Sequence, residues 1–231
     1  IINAAAYTAV DAAETTDGRR DAWAVNVGGI ATLARIAAES GIVLVHVSSD
    51  YVFDGASERA YSEADELCPL GVYGQTKAAG DAIVATAPRP YIARPSWVIG
   101  EGNTFVLTRA SLAERGIDPN VVNDQVGRLT FSADIARGIS HLLSAEATFG
   151  VYNLTSAGEP SSWADIAREV FSLTGHDAAR VTGVSTAEYF SAATTPVAPR
   201  PAWSTLDLAK LEATGFVASD WRELLAASLA H

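Results

Sequence analysis

Val72-Tyr73-Gly74-Gln75-Thr76-Lys77 is the stretch on which the reading of this chain turns. Tyr73 and Lys77 stand four residues apart, so on a helix they share one face, a turn apart. Upstream, residues 42–47 form a nearly continuous β-branched run that ends in Ser48-Ser49-Asp50-Tyr51. Such a run fits a strand covered on both faces, as in a parallel sheet. The strand end then delivers the Ser49 hydroxyl to a helix carrying a phenol and an ammonium. With seven Tyr in 231 residues and Lys only at positions 77 and 210, chance seldom produces this spacing.

Outward from that stretch, strand and helix patterns alternate. Residues 1–8 read as the tail of a buried strand. Their small side chains Ala4, Ala5 and Ala6 let a ligand approach the backbone at the strand's carboxyl end, where open α/β sheets bind ligands. Residues 11–14 read as a solvated acidic loop. Residues 21–40 read as one helix, because Ala22, Val25, Ile30, Leu33 and Ile36 recur near every 3.6 positions until Gly41 stops it. Asn26 inside it reads as a satisfied polar brace, and His46 as a core histidine. A Pro- and Gly-punctuated loop covers 52–71, followed by a helix over 72–87 and a strand over 91–94. This alternation predicts an α/β fold built on a doubly wound parallel, Rossmann-like sheet.

Beyond Arg94-Pro95-Ser96-Trp97 the pattern loosens. Helices are expected over 105–115, 132–144, 161–174, 208–214 and 220–229, strands over 120–122, 150–154 and 181–184, and a flexible flap over 190–201. The chain divides into a partial dinucleotide-binding part, 1–98, and a smaller α/β substrate lobe, 99–231, with 129–155 returning to the main sheet.

Composition narrows the function. Hydrophobic residues make up 48% and charged residues 19%, the profile of a globular protein. The net charge of −11 opposes nucleic-acid binding, which needs a basic face. No apolar run approaches the roughly 18 residues that a membrane span requires. The single cysteine, Cys68, excludes an internal disulfide framework and fits a reducing, cytoplasmic setting. His46, His141, His176 and His231 show no metal-ligand spacing.

Ser49, Tyr73 and Lys77 together suit proton transfer to a carbonyl. A free phenol has a pKa near 10, and a neighbouring ammonium favours its ionised form. A serine hydroxyl fixes the substrate oxygen and stabilises charge developing there. The phenol gives the proton, and because no side chain donates hydride, a nicotinamide cofactor is implied.

Four blocks carry a family resemblance: Asn3-Ala4-Ala5-Ala6-Tyr7-Thr8-Ala9-Val10-Asp11, Ser48-Ser49-Asp50-Tyr51-Val52-Phe53-Asp54-Gly55, Tyr73-Gly74-Gln75-Thr76-Lys77 and Arg94-Pro95-Ser96-Trp97-Val98. They resemble the extended short-chain dehydrogenase/reductases, and within these the dTDP-4-dehydrorhamnose reductases. Asn123-Asp124-Gln125-Val126-Gly127-Arg128, Arg200-Pro201 with Ser204 and Leu206, and Leu211-Glu212-Ala213-Thr214-Gly215-Phe216 agree, so the similarity runs essentially the whole length. The Gly127-Arg128-Leu129-Thr130-Phe131 wording is also similar to proteins in which the reductase follows an epimerase of the same pathway.

The resemblance implies a nucleotide-sugar substrate, dTDP-4-dehydro-β-L-rhamnose, and NADPH or NADH as cofactor. It implies Tyr73 as the acid at the C4 oxygen, and Lys77 as the group that lowers its pKa and bonds the nicotinamide ribose. Ser49, where the family often has Thr, would bind the same oxygen. Ala4, Ala5 and Ala6 would line the cofactor's passage. Val10, Asp50, Tyr51 and Trp97 would shape the sugar pocket, with Trp97 as a stacking wall. Asn103, Phe105 and Arg128 would hold the nucleotide, a guanidinium suiting its diphosphate. A homodimer, linked by Mg2+ in some members, and a fusion to an upstream epimerase are implied partners; no ligands for Mg2+ are assigned.

Three departures stand out. The family's glycine-rich dinucleotide loop is not in these residues, and the chain opens on Ile1-Ile2-Asn3 without any Met, so it reads as a fragment that should hold cofactor poorly. Leu129 stands where proline is common, and Trp203 replaces a smaller residue; both put the substrate geometry in question. Two other readings share the fold: a reductase or epimerase of another nucleotide sugar, and a non-catalytic, cofactor-binding regulatory subunit.

Overall fold

The computed structural model describes residues 1–102 and 104–230. From β1 (Ile2–Asn3) the chain runs through α1 (Thr16–Trp23), a π-helical segment (Ala24–Gly29) and α2 (Ile30–Ser40) into β2 (Leu44–Val47), and through α3 (Val72–Val84) into β3 (Pro90–Arg94). Short elements follow: β4 (Val98–Ile99), α4 (Phe105–Glu114), β5 (Asn120–Val122), β6 (Val126–Gly127) and β7 (Thr130–Phe131), then α5 (Ser132–Ser144) and β8 (Gly150–Asn153). The remainder comprises β9 (Ser161–Ser162), α6 (Trp163–Leu173), β10 (Thr182–Val184), α7 (Thr186–Tyr189), α8 (Ala209–Glu212) and α9 (Trp221–Leu229).

The main sheet has the order β1-β2-β3-β8, every pair parallel. Its register places His46 between Asn3 and Ile92, so β1, β2 and β3 end close together. Both faces are covered, which explains the unbroken apolar run in β2. Leu44 and Ile92 pack against α2 and α3 with Ile30, Ala34, Ala37 and Val84, while Val45, Tyr91 and Ala93 pack against Ile135, Ile139 and Leu142 of α5. Beyond the sheet, Ile99, Val106, Leu129, Ile166, Val170, Trp221 and Leu225 form the core of the second lobe. β5 pairs with β10 there, β4 with β7, and β6 with β9.

The single helix expected over 21–40 is three segments. It begins earlier, at Thr16, because the Thr15 hydroxyl caps it by accepting from the Gly18 amide at 3.1 Å. It widens over Ala24–Gly29, where Asn26 turns inward: its Oδ1 accepts from the Tyr7 amide at 2.8 Å, and its Nδ2 donates to the Tyr7 carbonyl and the Thr76 hydroxyl. Asn26 therefore braces the loop after β1 and helix α3, and π-helical turns of this kind often mark functional sites. Helix α3 can pack this close only because residue 80 is glycine: a Cβ there would lie 2.8 Å from the Asn26 carbonyl oxygen.

The acidic loop at 11–14 is not simply solvated. Glu14 Oε1 accepts from the Val72 amide at 2.8 Å, placing a carboxylate at the N-terminus of α3. Asp11 reaches the flap, accepting from the Ala198 amide at 2.9 Å and from Arg200 at 2.8 Å. The irregular segment 190–201 is thus tied down at its end.

Candidate active site

A cleft of about 600 Å³ opens at the carboxyl ends of β1, β2 and β3. The chain after β1 crosses it in extended form, so every second residue faces in: Ala4, Ala6, Thr8 and Val10 line the wall, and Ala5 does not. β2 contributes Val47, and the tight turn after it contributes Ser48, Ser49, Asp50 and Tyr51. Helix α3 lays Tyr73 and Lys77 against the same space, as their four-residue spacing predicts. Trp97, Gln125, Trp163, Arg200 and Ser204 complete the lining.

Hydrogen bonds hold these groups in place. Ser49 caps the 3-10 turn Asp50–Val52: its Oγ accepts from the Tyr51 amide at 3.2 Å and donates to Asp50 Oδ1 at 3.1 Å. Lys77 is buried, and its Nζ donates to the Val47 carbonyl at 2.7 Å. The rings of Tyr51 and Tyr73 meet edge to face at 5.5 Å. Asp50 Oδ2 is buried and has no hydrogen-bond partner among the described residues, an acceptor left for a ligand's hydroxyl.

Burial dominates the electrostatics. It pushes the Tyr73 phenol up to about 12; the Ser49 hydroxyl opposes that rise, while Asp50 and Asp81 add to it. Burial outweighs the lowering expected from the Lys77 ammonium, and the phenol is held protonated. Burial likewise brings Lys77 down to about 8, against the opposing charge of Asp81. Burial lifts Asp50 to about 6, with the hydroxyls of Ser204 and Ser49 resisting. His46 is kept neutral, depressed to about 3 by burial and by Lys77, which supports its reading as a core histidine.

Several expected contributors lie elsewhere. Arg128 does not reach the cleft; it borders a separate cavity with Asp207 and Glu212, and its Nη1 donates to the Leu206 carbonyl at 3.2 Å. A guanidinium suits a diphosphate by chemistry, but the short strand β6 directs this one the other way. Trp97 lines the cleft without offering a free face. It stacks on Trp163 at 3.8 Å, and the backbone of Gly127 presses so near that a Cβ there would lie 2.8 Å from the indole. Phe105 lies in an adjoining cavity of about 150 Å³, beside Trp163, Tyr189, Phe190 and Arg200. Asn103 lies outside the described residues. Leu129 is fully buried in the second lobe's core, and Trp203 packs beside Val52, Phe53, Tyr61 and Leu206. Neither lines the cleft.

Arg200, Gln125, Trp163 and Ser204 were not singled out as site residues from the sequence. Arg200 and Ser204 belong to a block that carries the family resemblance, but nothing local to them says which way they face. Among the described residues, no group of three or more His, Cys, Asp or Glu side chains could hold a metal ion.

The arrangement fits a nicotinamide ribose. An ammonium has three donors, and Lys77 makes one hydrogen bond among the described residues, which leaves it able to bond vicinal hydroxyls. The methyl side chains of Ala4 and Ala6 let a flat group lie close to the backbone of the same wall. Across from them, a neutral phenol and a serine hydroxyl share a site where a carbonyl oxygen could be held.

The chain is similar to several known proteins. A family model described as the RmlD substrate binding domain matches residues 1–231. A dTDP-4-dehydrorhamnose reductase of Aggregatibacter actinomycetemcomitans is 40% identical over 239 residues, covering 97% of this chain and 78% of the relative. The crystal structure of a dTDP-4-dehydrorhamnose reductase from Clostridium acetobutylicum superposes with a TM-score of 0.90 at 37% identity, covering 99% of this chain and 79% of that one. A Bacillus anthracis dTDP-4-dehydrorhamnose reductase in complex with NADP gives a TM-score of 0.89 at 32% identity, over 100% of this chain and 79% of that one.

Proposed function

Because this chain belongs to the RmlD substrate-binding domain family, that of the dTDP-4-dehydrorhamnose reductases, we propose that it reduces the C4 carbonyl of dTDP-4-dehydro-β-L-rhamnose with NADPH or NADH, giving dTDP-L-rhamnose. The observation that carries this reading is the meeting of Ser49, Tyr73 and Lys77 on one cleft at the sheet's carboxyl edge.

When bound, the dihydronicotinamide supplies hydride to the carbonyl carbon. The chain does the rest. Lys77 and the wall of Ala4 and Ala6 hold the ribose. Tyr73 donates to the C4 oxygen, and Ser49 turns its one O–H from Asp50 to the same oxygen, so charge forming there meets two dipoles. Tyr73, kept neutral by burial, then passes its proton to that oxygen, because an alkoxide is a stronger base than a phenolate. The unpartnered oxygen of Asp50 accepts from a neighbouring sugar hydroxyl. Arg200 meets the diphosphate, in the role first expected of Arg128, and the aromatic cavity around Phe105 and Trp163 receives the flat pyrimidine.

Turnover measured across dTDP-, GDP- and UDP-linked 4-keto sugars tests the substrate. The dTDP sugar should lead in kcat/KM by about tenfold or more, roughly 1.4 kcal/mol of barrier; equal turnover of all three contradicts it. For assembly, a homodimer and a fusion to an epimerase are the arrangements the family resemblance suggests, and native mass spectrometry of the whole polypeptide separates them. The reading places the reaction in the cytoplasm. No helix among the described residues is long and apolar enough to cross a membrane.

A further inference from the structure

We propose that Asp81, anchored by Arg94, is a positioning residue that keeps Lys77 cationic beneath the cleft. The inference rests on the reading of Lys77 as the ribose-binding ammonium. Asp81 lies one turn beyond Lys77 on α3, so both side chains lean toward β2 and β3. Its Oδ2 accepts from Arg94 Nε at 3.0 Å, and both partners of this ion pair are almost wholly buried. Its Oδ1 is buried as well. Burial pushes the Asp81 carboxyl up, and Arg94, the Ser48 hydroxyl and Lys77 pull it down.

Every charged or titratable group around Lys77 bears on that assignment. From β2 comes His46, whose Nδ1 pairs with Asn3 Nδ2 at 3.1 Å and whose Nε2 lies 3.9 Å from Asp81 Oδ1. It is neutral and brings no charge. From β3 comes Arg94, a second buried cation. The turn after β2 brings Asp50, hydrogen-bonded to Ser49, and α3 itself brings Tyr73, which is protonated. Asn26 of the π-helical segment is polar and uncharged, committed to Tyr7 and Thr76. Two buried carboxylates, Asp50 and Asp81, thus lie around Lys77, and it is Asp81 that opposes the effect of burial on Lys77. A Lys77 that lost its proton could neither donate fully to a ribose nor lend positive charge to the site.

NMR titration of isotope-labelled lysine in the full polypeptide, with the Lys77 signal identified by its loss in Lys77→Arg, reads Lys77 whatever the sugar substrate proves to be. The wild type should titrate near 8. Asp81→Asn, which keeps the shape, should lower the midpoint by about one pH unit or more. An unchanged midpoint overturns the proposal. Asp81→Glu keeps the charge and should titrate as the wild type does; a midpoint as low as that of the Asn variant counts against it. Cofactor binding by Asp81→Asn should weaken as pH rises through the lowered midpoint and recover below it. A merely structural role would weaken binding equally at every pH.

Discussion

At the scale of single residues, Asp50 separates stability from function. Its carboxyl is lifted from the ordinary range to about 6 by burial. A raised folded pKa means that the protonated group's contribution to stability is fully present below about 4 and is lost as pH rises through about 6. At pH 7.5 the ionised, buried Asp50 therefore strains the fold. Asp50→Asn should raise the stability there by about 1–3 kcal/mol, measured by denaturant titration, and the gain should vanish near pH 4. The same variant should lose kcat/KM for the sugar, and should lack the fall in activity below about 6 that protonation of Asp50 predicts for the wild type. Ser49, Tyr73 and Lys77 were legible in the sequence because a four-residue spacing and a strand end are local facts. Arg128 was misplaced because charge type alone does not say where a side chain points. Arg200, held across 189 positions of chain by Asp11, could be located only once the chain had folded.

At the scale of elements, helix α3 is fitted to its surroundings at two points. Glu14 receives the Val72 amide at its start, and Gly80 lets its middle approach Asn26. Glu14→Ala should cost about 0.5–2 kcal/mol of stability, measured by denaturant unfolding, as loss of a helix cap does. In the second lobe, Gly127 sets the position of Trp97, whose backbone has φ of 45°, a conformation a bulky residue adopts only when its neighbours impose it. Gly127→Ala would displace the indole into the cleft. The expected outcome is a KM for the sugar raised several-fold with the cofactor Kd unchanged, read by steady-state kinetics and fluorescence titration; an unchanged KM means the indole's position does not matter. The longer helices and the strands of the main sheet could be read from the apolar periodicity, whereas the two-residue strands β4, β6, β7 and β9 and the short helix α7 are too brief to leave one. The π-helical segment could not, because one extra residue per turn over Ala24–Gly29 leaves a 3.6-residue pattern almost undisturbed.

At the scale of the whole molecule, the parallel sheet explains where the chemistry sits. Strands covered on both faces leave only their ends free to bind, and β1, β2 and β3 bring the small-residue wall, the serine turn and the buried Arg94 to a common edge. This much followed from the β-branched run at 42–47 and the helical spacing after it. The contribution of the second lobe did not, because Gln125, Trp163 and Arg200 come together over long stretches of chain through short strands with weak sequence signals. On the proposed reading, Tyr73 delivers a proton to an oxygen held in this cleft. The direct test is Tyr73→Phe, assayed for reduction of the dTDP-linked 4-keto sugar alongside cofactor binding. A fall in kcat of about 10²–10⁴-fold, the usual worth of a general acid, with cofactor Kd within about twofold of wild type, is the predicted result. Turnover within about tenfold of the wild type would contradict it.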